Sequence, residues 1–350
     1  MPDINLDLLS HVETVVLIHR KDTCNNLRKY ATHFGGKLMI ISASRRTDIP
    51  SYYSEWFFNR LKEQYVLVRN PMNMHQIGKI DLSPKVVDGI VFWTKNPVPM
   101  LNRLEELEKY NYYFQFTLTA YGPEVETGLP SKNKVIIPSF QRLSKEIGKK
   151  KVVWRYDPIF LNEKYTIDYH CRYFAVLASK LALYTEKCTI SFLDYYRNTE
   201  RNMKPLHIHP LTVEQQKEII EKFVRIAQRY NLHLDTCAES CDFGKFGVSH
   251  ACCIDKERFE RIGKYKLNVE KDKNQREECG CVASIDIGAY NTCRNGCLYC
   301  YANYSGMSVN NNFGKHNLES PLLFGKVNEE DKVKERNVTS LIDRQMTLFE

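Results

Sequence analysis

The sequence predicts an α/β protein: a partial (β/α) barrel of about six βα units, followed by a cysteine-rich C-terminal segment. Three observations carry that expectation. Short apolar, β-prone runs alternate with longer stretches of helical periodicity, and such alternation implies a parallel sheet. Each short run ends in a polar or charged cluster, where βα barrels gather their chemistry. Nine of the 12 cysteines fall between Cys237 and Cys300. Strand order is not written in a sequence, so a doubly wound open sheet stands as the alternative.

Residues 1–36 read as a partly helical lead-in ending at Gly35-Gly36, and residues 37–305 as the barrel. Leu38–Ala43 is the first strand, followed by polar Ser44–Asp48 and a helix from Tyr53 to Glu63. Tyr65–Val68 is an extra strand. Gly89–Trp93 is a strand, then come Thr94-Lys95-Asn96 and a helix through Leu101, Leu104 and Leu107. Tyr112–Leu118 is a strand before a helix over 138–148. Lys151–Trp154 is a strand leading through Arg155–Pro158 to a helix over 166–184. Cys188–Phe192 is a strand ending at Asp194–Arg197. Thr212-Val-Glu-Gln215 is a capping box opening a helix to Tyr230, with Ile219, Ile220, Phe223, Ile226 and Ala227 on one face. Leu232–Thr236 is a strand followed by Cys237–Ser240. Val282–Ile287 is one more strand, broken by Gly288. Residues 306–350 turn polar and charged and read as a loose tail. The strand ends together carry Arg45, Arg46, Asp48, Lys95, Arg155, Asp157, Asp194 and Glu239, which suggests one shared rim. The plainer alternative is that strands simply exit into polar loops.

Composition narrows the class. The chain has 350 residues, 43% hydrophobic and 26% charged, which excludes collagen-like, disordered and mucin-like proteins. It is long enough to bury a core without disulfides. The opening Met1-Pro-Asp-Ile-Asn lacks the basic and apolar regions of a secretory signal. The longest apolar runs, such as Val15–Ile18, are far short of a membrane span, so the expected setting is cytoplasmic. In a reducing compartment, clustered cysteines point to metal ligation. A net charge of +8 permits a polyanionic partner without requiring one.

Cys293-Arg-Asn-Gly-Cys297-Leu-Tyr-Cys300 carries the chemistry. Three thiolates on one short loop can hold three irons of a [4Fe-4S] cluster and leave the fourth open to a substrate or cofactor. A glycine between the first two cysteines helps the loop wrap the cluster. The alternative is a zinc knuckle borrowing Cys279 or Cys281, although zinc favours CxxC pairs and only Cys297 and Cys300 form one. Cys237, Cys253, Cys279 and Cys281 form a candidate second site, iron–sulfur or zinc, within the cysteine-rich segment 237–303. Cys24, Cys171 and Cys188 read as core thiols, and His207 and His209 as a surface loop.

The CxxxCxxC loop with Tyr299 before its last cysteine resembles the signature of the radical SAM superfamily. That resemblance implies a [4Fe-4S] cluster on Cys293, Cys297 and Cys300 that binds S-adenosylmethionine and generates a 5′-deoxyadenosyl radical. It also places Tyr299 near the adenine. The loop lies late in the chain, so the barrel would be permuted, with strand 282–287 in the first-strand position. Ser44–Pro50, Phe92–Asn96, Trp154–Pro158, Asp286–Tyr290 and Cys300–Asn303 resemble an uncharacterised bacterial branch with this order, a likeness covering most of 38–305. By chemistry, Arg45 and Arg46 suit a carboxylate or phosphate, Arg155 and Asp157 join them as cofactor candidates, and Glu239 suits a ribose hydroxyl or amine. Cys237, at a strand end, is a candidate hydrogen donor to the radical, as in some members of the superfamily.

The last residues, Gln345-Met-Thr-Leu348-Phe349-Glu350, look like the bacterial sliding-clamp-binding motif, in which Leu348 and Phe349 fill an apolar groove and Gln345 hydrogen-bonds backbone. The alternative is a terminal segment docking on its own domain. With the +8 charge and 21 tyrosines, the tail favours a nucleic-acid substrate. The leading expectation is a radical SAM enzyme resembling the DNA repair photolyase branch, typified by spore photoproduct lyase-like enzymes, supplied by an electron donor. Radical SAM modification of RNA, a peptide or a small metabolite is the second reading. A non-catalytic, metal-stabilised nucleic-acid-binding protein is the third.

Overall fold

A computed structural model describes residues 39–338 and 340–343. The lead-in over 1–36, Cys24, and the tail residues Gln345, Leu348 and Phe349 lie outside the described residues.

The elements run β1 (Ile40–Ala43), α1 (Ile49–Tyr52), α2 (Ser54–Glu63), β2 (Tyr65–Asn70), β3 (Asn73–Asp81), β4 (Gly89–Thr94), α3 (Val98–Leu101), β5 (Tyr112–Thr117), α4 (Ile137–Ile147) and β6 (Val152–Ile159). They continue with α5 (Ile167–Leu181), β7 (Lys187–Phe192), α6 (Arg197–Met203), α7 (Val213–Arg229), β8 (His233–Thr236), β9 (Ser249–His250) and α8 (Lys256–Gly263). The last are β10 (Lys266–Leu267), β11 (Ile285–Asp286), α9 (Gly306–Phe313), β12 (Lys332–Glu335) and β13 (Ile342–Asp343).

Eight strands form one sheet in the order β11-β1-β4-β5-β6-β7-β8-β9. Every neighbouring pair in it is parallel. All strand C-termini therefore reach the same edge. The pleat explains the two faces, because successive side chains point to opposite sides. Ile41, Ile90, Phe92, Phe114 and Trp154 enter the large core shared with the helices. Ile40, Val91, Tyr113 and Val153 face the other way, against Cys253, Ile254, Phe259, Cys279 and Cys281. Stacked rings knit the helical layer: Trp154 on Phe174 at 5.0 Å and Phe174 on Phe223 at 4.0 Å. Burying each such ring stabilises the fold by roughly 2–3 kcal/mol before packing terms. The Thr212 capping box is formed with Gln215 as the spacing predicts.

Late strand β11 lies beside early strand β1, with Ile285 opposite Ile41 and Asp286 opposite Ser42. The Asp286 carboxylate fixes this junction. It accepts hydrogen bonds from Ser42 (3.0 Å), Ser44 (2.6 Å), the Arg45 amide (2.8 Å) and the Gly288 amide (3.0 Å). A Cβ at Gly288 would collide with Ser44 Oγ, so glycine permits the close approach.

Several local expectations need correction. The helix through Leu101–Leu107 is the single turn α3 followed by a 3-10 turn over Leu104–Leu107. Strand β6 runs on to Ile159, so Arg155 and Asp157 lie within it rather than after it. The extra strand at Tyr65 belongs to a separate three-stranded sheet, β12-β3-β2. Its partner β3 gives no apolar run because its outer end is exposed. The described part of the expected loose tail, 306–350, is structured. It carries α9, buries Leu322 and Leu323, and adds β12 in parallel to β3. All four β12 residues are exposed, so backbone pairing rather than apolar burial holds that strand, and hydropathy gives no sign of it.

Replacing Asp286 with alanine should remove the acceptor from two amides and two hydroxyls, destabilising the fold by about 3 kcal/mol. Hydrogen exchange should then rise first in 41–46 and 284–303. Uniform protection across those segments would show that the junction does not depend on this carboxylate.

Candidate functional site

The cysteine loop follows β11 and therefore starts at the C-terminal edge of the sheet. Its anchor is Asp48, the buried residue capping α1. Asp48 accepts from the Ser51 amide (3.0 Å), from the Lys95 amide beyond β4 (2.8 Å), and from Asn295 Nδ2 between the first two loop cysteines (2.9 Å). Burial raises its carboxyl pKa above the ordinary value, opposed by these hydrogen bonds. The Tyr52 hydroxyl donates to Asn295 Oδ1 at 3.0 Å, and the Tyr53 hydroxyl to the Thr292 carbonyl at 2.7 Å. The Tyr301 hydroxyl reaches the Arg45 carbonyl at 2.9 Å, and Asn303 closes the loop on the Cys293 carbonyl at 2.7 Å.

The opposite wall is the segment after β5. The Gly128 amide donates to the Asn295 carbonyl and the Leu298 amide to the Val125 carbonyl, both at 2.9 Å. Two glycines make this contact possible. A Cβ at Gly128 would meet the Arg294 carbonyl, and Gly296, at φ +64°, would meet Thr127 Oγ1. The same wall presents Glu126, buried and ion-paired to Lys95 at 2.9 Å and to Lys132. Glu126 also accepts from Thr119 at 3.0 Å and from the Tyr299 hydroxyl. Burial works to raise the Glu126 pKa, but the two lysines overcome it and hold the carboxyl at about 2. Lys95 lies over the Tyr299 ring, 5.3 Å from its centroid.

The three loop thiols sit within electrostatic reach of one another, and burial pushes each pKa up. For Cys297 the value is about 12, with Lys95 acting in the opposite direction. Among the described residues, no group of three or more His, Cys, Asp or Glu side chains is arranged to hold a metal ion. A cubane makes a different demand, since each thiolate meets its own iron and the sulfurs stand farther apart. Thr47 Oγ1, Trp93 Nε1 and Asn303 Oδ1 are buried with no hydrogen-bond partner. Such orphaned atoms call for an explanation, and a bound group with polar atoms is one. The donor set and these three atoms fit a thiolate cluster carrying a polar ligand.

Arg155 and Asp157 pair with each other, and Arg155 Nη1 also reaches Cys253 Sγ at 2.8 Å. Arg45 and Arg155 each lie 5.3 Å from the Trp93 ring centroid, while Arg46 lies over Tyr290 at 5.1 Å. Asp48, which could have paired with these arginines, is instead engaged by Lys95 and Asn295. Glu239 accepts from the Phe192 amide at 2.8 Å, and burial lifts its pKa to about 7. Cys237 lies 3.2 Å from Cys253. Cys188 is fully buried, Cys171 is half-buried, and His207 and His209 are exposed. Sequence reasoning missed Glu126, Lys132, Asn295 and the anchoring roles of Asp48 and Asp286. The segment holding Glu126 has neither strand nor helix periodicity to draw attention to it.

Residues 40–302 match the model of a family described as a domain of unknown function (DUF1848). No curated protein matches the chain. Among the described residues, no helix is long and apolar enough to cross a membrane.

Glu126→Gln should expose the pH dependence of this wall. A carboxyl held at about 2 contributes stability that is complete above its unfolded value near 4.5 and is lost as pH falls toward 2. Urea denaturation should show wild type more stable than the variant by up to about 3 kcal/mol near neutrality, with the gap closing below about pH 4.5. A gap that widens on acidification would contradict the assignment.

Proposed function

The chain belongs to this DUF1848 family, and from its site we propose that it is a radical SAM enzyme acting on nucleic acid. The observation that carries the reading is the CxxxCxxC loop at the C-terminal edge of a parallel sheet, with buried thiols between the Asp48 and Glu126 walls. Strand order supports the fold side of the proposal. A monotonic series from β1 to β9, with β11 returning beside β1, is the order of a permuted (β/α) barrel opened between β9 and β11. The reversal within the series that marks doubly wound sheets is missing from β1 to β9.

In this reading Cys293, Cys297 and Cys300 hold a [4Fe-4S] cluster. When bound, the cluster supplies the electron that cleaves S-adenosylmethionine and so permits hydrogen abstraction from a substrate. The protein's own residues do the positioning. Asp48 and Asn295 fix the loop, and Lys95 brings positive charge to Cys297. Thr47, Trp93 and Asn303 offer unspent polar atoms. Arg46 and Glu239 remain candidate cofactor contacts, whereas Arg155 and Asp157 already satisfy one another.

The substrate side rests on the +8 charge, the tyrosines and the clamp-like tail. A damaged base extruded from DNA is the substrate class proposed, in keeping with enzymes that work on bases outside the stack. A cytoplasmic electron donor would complete the reaction.

Anaerobically reconstituted protein, reduced in the presence of S-adenosylmethionine, should release 5′-deoxyadenosine, and Cys297→Ala should abolish the release. Turnover should rise with damaged DNA rather than with RNA or peptide. Protein that stays colourless after reconstitution, or cleavage untouched by Cys297→Ala, would sink the enzyme assignment. The tail is tested separately: Leu348→Ala/Phe349→Ala should eliminate binding to a bacterial sliding clamp in surface plasmon resonance. Equal binding by both proteins, or none by the wild type, would remove the clamp from the account.

A further inference from the structure

Two pairs of tyrosine rings stand beside the cysteine loop. Tyr290 precedes Cys293, and Tyr301 and Tyr304 follow Cys300. Tyr290 stacks on Tyr304 with ring centroids 6.0 Å apart and planes 17° from parallel. Tyr196, reached from the end of β7, lies against Tyr301 at 5.9 Å. Tyr196, Tyr301 and Tyr304 are 42%, 42% and 43% exposed. Single exposed rings are ordinary on a protein surface, whereas rings gathered next to a candidate site mark a surface with a partner.

These rings are fixed by their edges and their backbone. The Tyr301 hydroxyl is turned to the Arg45 carbonyl at 2.9 Å, and the Tyr196 hydroxyl accepts from Arg276 at 2.9 Å. Asn198 on α6 donates to the Tyr301 carbonyl at 2.9 Å. The Tyr304 amide donates to Asn291 Oδ1 at 2.6 Å, and its carbonyl accepts from Arg201. A flat ring already held in place loses little freedom when another ring stacks on it.

Cations extend the row. Arg46 lies over Tyr290, 5.1 Å from its centroid. Arg336, just past β12, runs alongside Gly78 of β3, and Arg46 is the charge that acts on it. Among the described residues, no hydrogen bond or ion pair engages either guanidinium. Like charges in one neighbourhood repel, and an anion joining them relieves the repulsion. Guanidinium forks match phosphate oxygens. Each nucleotide of an unpaired strand brings one phosphate and one open base face, the two groups that this row of arginines and rings can take. In a duplex the base faces are already stacked, so paired DNA offers the rings little.

We propose that Tyr301 and Tyr304 are base-stacking platforms, and Arg46 and Arg336 phosphate contacts, of a surface that docks single-stranded DNA beside the cysteine loop. Arg46 is then a phosphate contact rather than a cofactor contact. The surface rests on the nucleic-acid part of the proposed function and names where the strand is received. It holds the unpaired flank of the target base next to the loop.

Fluorescence anisotropy of a short fluorescein-labelled oligothymidylate, titrated with the full chain after anaerobic reconstitution, tests this. Tyr301→Ala/Tyr304→Ala should weaken binding by at least about 10-fold, while Tyr304→Phe should bind as wild type does. Arg46→Gln/Arg336→Gln should lower the slope of log affinity against log salt by about 1.4, the change expected for two phosphates on a single strand. Should the double alanine variant fail to fold, Tyr304→Ala alone decides, because that side chain makes only the ring contact with Tyr290. Affinity and salt slope unchanged by both sets of substitutions, no binding by wild type, or preference for the duplex would each overturn the proposal. Capture by phosphatidylglycerol vesicles in place of the oligonucleotide would overturn it as well. Release of 5′-deoxyadenosine is read separately. Binding that the variants lose, in a protein that releases none, would keep this surface and discard the radical reading. Release alongside binding indifferent to the variants would do the reverse.

Discussion

One buried carboxylate holds the cysteine loop to the sheet. Asp48 caps α1, grips the amide at the end of β4, and takes the side chain of Asn295 from the middle of the loop. Removing a carboxylate from water costs free energy, and the cost is offset only while its hydrogen bonds stay in place. The interaction is therefore nearly all-or-none: with Asn295 displaced, the charge is left under-satisfied and the rim is destabilised with it. Asp286 works in the same way one strand over, joining a strand from the end of the chain to one from the beginning. Between them the two aspartates let residues some 240 positions apart in sequence share a single edge.

The electrostatics around the loop follow from the same economy of partners. Glu126 is flanked by two lysines, so the wall beside Cys297 carries more positive than negative charge. Arg45 and Arg155 both lie 5.3 Å from the Trp93 ring centroid, and Arg155 Nη1 reaches Cys253 Sγ at 2.8 Å. Buried positive charge beside sulfur is costly if the sulfur is a neutral thiol and favourable if it is a thiolate. Burial pushes the pKa of each loop thiol up, and beside Cys297 the Lys95 charge works against that rise.

Much of the helical layer was legible in the sequence. Ile219, Ile220, Phe223 and Ala227 are buried on one face of α7 as their spacing implies. The βα alternation gave the parallel direction of the sheet, and Val282–Ile287 contained the strand that pairs with β1. The loop cysteines stood out by spacing, whereas six upstream cysteines offered no rule for choosing among them, and the approach of Cys237 to Cys253 comes only with folding. What was hidden depended on long-range partners. Glu126 is an ordinary acidic loop residue until folding sets it between Lys95 and Lys132. Asn295 reads as a filler between cysteines until Asp48 meets it. Strand β12 has no hydropathy signal, because its stability lies in backbone bonds to β3. Arg155 and Asp157 drew attention as rim charges, yet β6 extends past them and they neutralise each other.

The central claim is that Cys293, Cys297 and Cys300 leave one iron of a cluster open. Electron paramagnetic resonance of the reduced full-length protein, recorded with and without S-adenosylmethionine, tests this most directly. The account predicts that the cofactor shifts the loop cluster's signal, and that the Cys293→Ala/Cys297→Ala/Cys300→Ala protein shows no such shift. A spectrum unchanged by the cofactor in wild-type protein would contradict it.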